Sequence, residues 1–162
     1  MRAALAAPKT IEPGDVRLSL KGLSHAAITR FGTTLHDINM DVRSGQIVGI
    51  AGISGNGQQE LAASISGETL CSSADMVSVM GQPVGRMGPD KRRNLDFTFV
   101  PEERLGRGAV PEMSLADNSL LTAHRKGMLN NGFINRKAER AFTRTCIADF
   151  DVRTPGPDAE AG

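Results

Sequence analysis

Gln46-Ile47-Val48-Gly49-Ile50-Ala51-Gly52-Ile53-Ser54-Gly55-Asn56-Gly57-Gln58-Gln59 decides how this chain is read. The run up to Ala51 is almost wholly apolar, the composition of a strand covered on both faces, and it predicts a central parallel strand. Gly52 to Gln59 then has the outer glycine spacing of a phosphate-binding loop, G-x-x-x-x-G followed by two polar residues. Beyond it, Leu61 and Ile65 fall four residues apart on one helical face before Gly67 stops the helix. Strand, glycine loop and helix in this order turn backbone N–H groups and the positive end of a helix dipole toward a phosphate.

The loop departs from the full motif where charge matters most. Gln58 stands in the place of the lysine that reaches the terminal phosphates, and Gln59 in the place of the hydroxyl that holds Mg²⁺. A charge-assisted hydrogen bond contributes about 1.5 to 3 kcal/mol, so its loss weakens triphosphate binding by roughly ten- to a hundredfold. The alternative on spacing alone is a glycine-rich strand-to-helix turn that binds nothing. A dinucleotide fingerprint on Gly55 and Gly57 is disfavoured, because Glu60 takes the third glycine position and Asp75 precedes its strand. Phe97 to Glu103 superficially resembles an apolar strand ending in catalytic carboxylates. Thr98 and Pro101 argue against that, and a glutamate pair there reads as a solvated turn unless a wider pattern gives it a place.

Working outward, Val16, Leu18 and Leu20 alternate with polar residues, as do Leu35, Ile38, Met40 and Val42 within Thr33 to Val42, which predicts two antiparallel strands. Residues Met1 to Gly14 are rich in Ala, Pro and Gly and read as a linker. Met76 to Met80 and Phe97 to Val100 are further short strands. Lys91-Arg92-Arg93 in the polar segment between them reads as a solvated face without function. Ser114 with Asp117 makes a capping-box start for a short helix. Asn135 caps a longer one through Asp149, with Ala138, Ala141, Phe142, Thr145 and Cys146 on one stripe. The last residues, RTPGPDAEAG, read as a loop.

Composition narrows the function. The 162 residues are 40% hydrophobic and 23% charged, the balance of an ordinary globular protein. Nineteen basic against eighteen acidic residues leave a formal charge of +1, so no strong field collects polyanions. With six Phe and no Trp or Tyr there is no stacking platform either, and nucleic acid is not expected as a partner. Cys71 and Cys146 are far apart with no metal-ligand spacing, which fits a reducing compartment, and His25, His36 and His124 read as bystanders. Neither a signal-peptide core nor a run of the roughly 20 apolar residues that span a bilayer is present.

Three stretches together carry a resemblance. ITRFGTTLHDINMDVRSGQIVGIAGISGNGQQEL (Ile28 to Leu61), VPEERLGRGAVPEMSLADNSLLT (Val100 to Thr122) and FDVRTPGPDAEAG (Phe150 onward) resemble an ABC-transporter ATPase domain. The resemblance is to the second, C-terminal cassette of the fused double-ATPase subunits that energise uptake of simple sugars and nucleosides. That cassette carries a GNGQ-type glycine loop and a VPE-(D/E)-R segment where ordinary cassettes have their Q-loop. The resemblance implies an α/β fold: a P-loop NTPase core with an antiparallel β subdomain and the start of a helical subdomain. The corresponding divisions are a linker over 1–15, the nucleotide-binding core with its β subdomain over 16–110, the helical start over 111–150, and a loop over 151–162 leading toward the signature motif.

Position by position, it implies a degenerate Walker A loop at Gly52, Ser54, Gly55, Asn56, Gly57, Gln58 and Gln59, binding ATP and Mg²⁺ weakly. Phe31 would be the aromatic that stacks on adenine, and Glu102 would take the Q-loop position. Arg104 to Leu121 would form part of the surface that meets the transmembrane permease subunits, and the first cassette of the same or a partner chain would be the nucleotide-sharing partner. The assembled subunit would lie in the cytoplasm, peripheral on the inner face of the membrane. No signature motif, Asp/Glu strand end or switch histidine follows, so the chain is expected to be a fragment of a longer subunit, inactive in hydrolysis, with no catalytic residue of its own. A cassette-shaped docking module that no longer binds nucleotide is the rival reading.

Overall fold

The alternation at Val16, Leu18 and Leu20 becomes strand β1 (Val16–His25) in the computed structural model, which describes residues 12–27, 30 and 32–162. β1 pairs antiparallel with β2 (Leu35–Arg43), setting Leu20 opposite Met40 and Leu23 opposite Ile38, as the two alternating runs predict. The ladder is irregular between Leu20 and Leu23, around Gly22 at φ +58. An extra residue there resets the alternation, which is why Leu20 and Leu23, three positions apart, are both fully buried. β3 (Val77–Val79) joins the other edge of β1, and β4 (Gln82–Pro83) completes the order β2-β1-β3-β4. Met80 and Gly81, both at positive φ, form the tight turn between the last two.

One side of this sheet holds the core: Leu20, Leu23, Cys71, Val77, Val79 and Val84, with Leu61 and Ile65 of helix α1 (Gln58–Ser66) packed against it. α1 stops at Gly67, which takes φ +87 and donates its N–H to the Ala63 carbonyl. Lys91 and Arg93 on α2 (Pro89–Arg93) are exposed, as expected, but Arg92 corrects the reading of the basic run, because it is completely buried. Its guanidinium donates to the carbonyls of Ser64, Ile65, Val84 and Met87. Ser64 and Ile65 lie in the last turn of α1, whose carbonyls lack partners within the helix. A buried cation therefore caps α1, and desolvation lowers its pKa from the usual arginine value.

Two predicted strands are absent. Neither Gln46–Ala51 nor Phe97–Val100 joins a sheet, and Ile47 is 97% and Val100 88% exposed. The apolar run has the composition of a strand flanked and covered on both sides. Among the described residues the sheet is built from β1 to β4 alone, all antiparallel, and gives this run no parallel neighbour.

The chain divides into two compact units between Phe99 and Val100. In the second, α3 (Leu115–Ala123) starts at Ser114 as predicted: its Oγ accepts the Asp117 N–H at 3.0 Å and donates to Asp117 Oδ2 at 2.6 Å. A hairpin of β5 (Leu129–Asn130) and β6 (Phe133–Ile134) turns through Asn131 and Gly132, both at positive φ. Asn135 Oδ1 then caps α4 (Arg136–Asp149) by accepting the Ala138 N–H. The inward face of α4 differs from the predicted stripe. Glu139 and Thr143 are buried, Phe142 and Cys146 half-buried, and Ala141 and Thr145 exposed. Arg136 holds both Glu139 oxygens, at 2.9 and 3.0 Å, so a neutralised carboxylate can take the inward position. The described helices include none long and apolar enough to cross a membrane.

Arg136 also reaches Asp117, tying α4 to α3. Hydrogen bonds from Ser114 and then Arg136 lower the Asp117 pKa. A depressed carboxylate stabilises the fold above its unfolded pKa, and that contribution disappears as pH falls through the folded value. Asp117→Asn is therefore expected to weaken protection of α3 and α4 amides from hydrogen exchange at pH 7, the difference starting to shrink as pH falls past the ordinary carboxylate value of about 3.9 and vanishing only below the lowered folded value. Equal protection at neutral pH would show that the bridge contributes nothing.

Candidate functional site

The glycine loop follows Ala51 and ends on α1. Gly55 and Gly57 adopt φ +89 and +97, a region that side chains rarely tolerate. Asn56 donates its N–H to the Ile53 carbonyl at 3.2 Å, closing a tight turn. Gly57 is the N-cap of α1 and has no side chain to bond the first-turn N–H groups. Uncapped N–H groups at the positive end of a helix are suited to receiving an anion.

The amide of Gln58 folds back across the loop, Nε2 donating to the Ile53 carbonyl at 3.2 Å. A Cβ on Gly52 would fall 2.2 Å from that nitrogen, so glycine at 52 makes room for the side chain that replaces the lysine. Gly52, Ser54, Gly55, Asn56 and Gln59 are exposed, Gln58 is half-buried and Gly57 is buried. Of the predicted loop residues, Gly52 to Gly57 thus form the turn, and Gln58 and Gln59 open α1. For Mg²⁺ the donor set fits poorly: Gln58 and Gln59 offer only neutral amide oxygens where a hydroxyl or carboxylate is wanted. Beside the loop, Ile50, Gln58, Leu61, Ala62, Ile65 and Phe99 line a largely apolar cleft of about 280 Å³.

Two residues that the sequence reading did not single out brace this loop. Thr33 donates its Oγ1–H to the Gly55 carbonyl at 2.6 Å, and its N–H to Glu60 Oε1 at 2.9 Å. That N–H is the main cause of a Glu60 pKa below the ordinary glutamate value. Thr33 precedes β2 and Glu60 lies in the first turn of α1, so their 27-residue separation left no local signal.

Phe31 lies outside the described residues. Glu102 is exposed and belongs to the second unit. In the Arg104 to Leu121 segment, a compact turn is closed by the Ala109 N–H on the Arg104 carbonyl. Asn118 of α3 then holds both the N–H and the carbonyl of Val110, together with the carbonyls of Met113 and Ser114.

No family model matches the chain. Among curated proteins it is similar to ATP-binding proteins of solute import. A ribose import ATP-binding protein of Rubrobacter xylanophilus is 33% identical over 149 residues, 92% of this chain and 28% of that protein. A nucleoside import ATP-binding protein of Lactococcus lactis is 34% identical over 146 residues, 90% of this chain and 28% of that protein. A guanosine import ATP-binding protein of Bacillus subtilis is 31% identical over 153 residues, covering 91% and 29%. The chain spans less than a third of the length of these relatives.

Proposed function

We propose that the chain is the ATP-binding part of an ABC importer subunit for simple sugars or nucleosides, corresponding to its second cassette. The observation that carries the reading is the loop from Gly52 to Gln59. Its two left-handed glycines, and an α1 N-terminus whose N-cap Gly57 has no side chain to occupy the first N–H groups, supply backbone donors to a triphosphate, within a chain similar along most of its length to import ATP-binding proteins. Binding rests on backbone N–H groups and the helix end rather than on a side-chain charge, so affinity for ATP is low and sensitive to salt. Mg²⁺ has no strong protein ligand in the loop, and the site is the non-hydrolysing member of an asymmetric pair. Phe31 stacks on adenine, Glu102 takes the Q-loop position, and Arg104 to Leu121 faces the permease subunits on the cytoplasmic side of the membrane. The first cassette is the partner across the nucleotide.

The back-folded Gln58 amide, which already satisfies a loop carbonyl, favours a second reading: a docking module whose loop is only a turn. Gln58→Lys separates the two. If the loop cradles phosphate, the added charge tightens ATP binding by about ten- to a hundredfold in titration calorimetry. A folded variant with unchanged affinity makes the docking module the better account.

A further inference from the structure

We propose that Thr33 is a positioning residue of the phosphate loop, locking the Gly55 carbonyl away from the space an anion would occupy, with Glu60 as its anchor. This rests on reading Gly52 to Gln59 as a phosphate-binding loop. The peptide between Gly55 and Asn56 follows a sterically open position: Gly55 has φ +89, and a Cβ there would meet nothing within 4 Å. A peptide beside glycine reorients at little steric cost. Turned one way its N–H closes the turn on the Ile53 carbonyl, and turned the other way its carbonyl oxygen would face and repel a phosphate. The 2.6 Å hydrogen bond from Thr33 Oγ1 commits that carbonyl to the β2 side, while the Asn56 N–H points to the Ile53 carbonyl inside the turn.

Thr33 is itself fixed. Its N–H is held by Glu60 Oε1, and its methyl faces Gly57, where an added Cβ would lie 3.3 Å from Cγ2. The same contact turns the Glu60 carboxylate toward β2, so that an acidic residue in the first turn of α1 is committed to a donor before any anion arrives. The hydroxyl at position 33 therefore keeps the Gly55 carbonyl from turning toward an anion received by the N–H groups at the start of α1, while the Asn56 N–H stays on the Ile53 carbonyl and the methyl only packs.

The test compares Thr33→Ser, Thr33→Cys and Thr33→Val in the 162-residue chain, each titrated with inorganic tripolyphosphate and with ATP, with melting temperatures recorded alongside. Affinity is expected to follow hydrogen-bond donor strength: serine close to threonine, cysteine weaker, and valine about tenfold weaker for both ligands. The cysteine arm carries the comparison if valine fails to fold. Equal affinities across the series, or a serine variant weaker than valine, would overturn the proposal and leave the loop reading standing. A wild-type chain that is folded and binds neither ligand would overturn the loop reading and this proposal with it.

Discussion

Arg92→Met should destabilise the first unit by about 1–3 kcal/mol, the cost of leaving buried carbonyls without their donor. The side chain is wholly buried and all four of its hydrogen bonds end on carbonyls, two in the last turn of α1 and two in the segment after β3. Methionine fills much of the volume but donates nothing, so the loss measures the hydrogen bonds more than the packing. Arg92→Lys should recover only part of it, because an ammonium on a flexible stem lacks the planar fork that reaches several carbonyls at once. Urea unfolding followed by circular dichroism reads both. A methionine variant within about 1 kcal/mol of wild type would show that the guanidinium is solvated, as the sequence alone implies for such a run.

Gly57→Val should abolish ATP binding, a loss of more than about a hundredfold, and cost roughly 1–3 kcal/mol in stability. Two effects coincide at this residue. Its φ of +97 is a conformation that a β-branched side chain does not tolerate. Its Cβ would also sit 3.1 Å from Leu35 Cδ2 and 3.3 Å from Thr33 Cγ2, pushing the loop off the strand that braces it. Gly57→Ala carries the same backbone strain with less crowding and should fall between. Calorimetric titration beside thermal melting separates loss of binding from loss of fold, and a folded valine variant that binds ATP like wild type would place any nucleotide elsewhere.

The parts of the fold legible in the sequence were those decided locally. The alternations of β1 and β2, the glycine that ends α1, and the side-chain caps at Ser114 and Asn135 each depend on residues a few positions apart. Arg92 was not legible, because three consecutive basic residues look the same whether or not α1 carbonyls 27 and 28 positions earlier await one of them. Thr33 was missed for a similar reason, its partners lying 22 and 27 residues away. The run from Gln46 to Ala51 shows the complementary failure: composition states what a strand requires of its neighbours, not whether they are there. The hairpin at Asn131 and Gly132 did carry a local signal in its Asn-Gly pair, but its two-residue strands are too short for alternation to register. On α4, apolar spacing proposed one face, and the neutralisation of Glu139 by Arg136 selected another.

The cap on α1 also acts at a distance. A helix normally has partial charges of opposite sign at its two ends, and a cation at its carboxyl end offsets the negative one. Here that cation is buried and, among the described residues, bonded to neutral carbonyls, so little solvent screens it. The nine residues of α1 place it roughly 13 Å from the glycine loop at a rise of about 1.5 Å per residue. At an effective dielectric constant of about 20, a unit charge at that range lowers the energy of a negative charge in the loop by about 1 kcal/mol at low ionic strength, and by less in physiological salt because the loop is exposed. For the phosphate-binding role proposed for the loop, the field of Arg92 would supply part of the attraction that a lysine at position 58 would give.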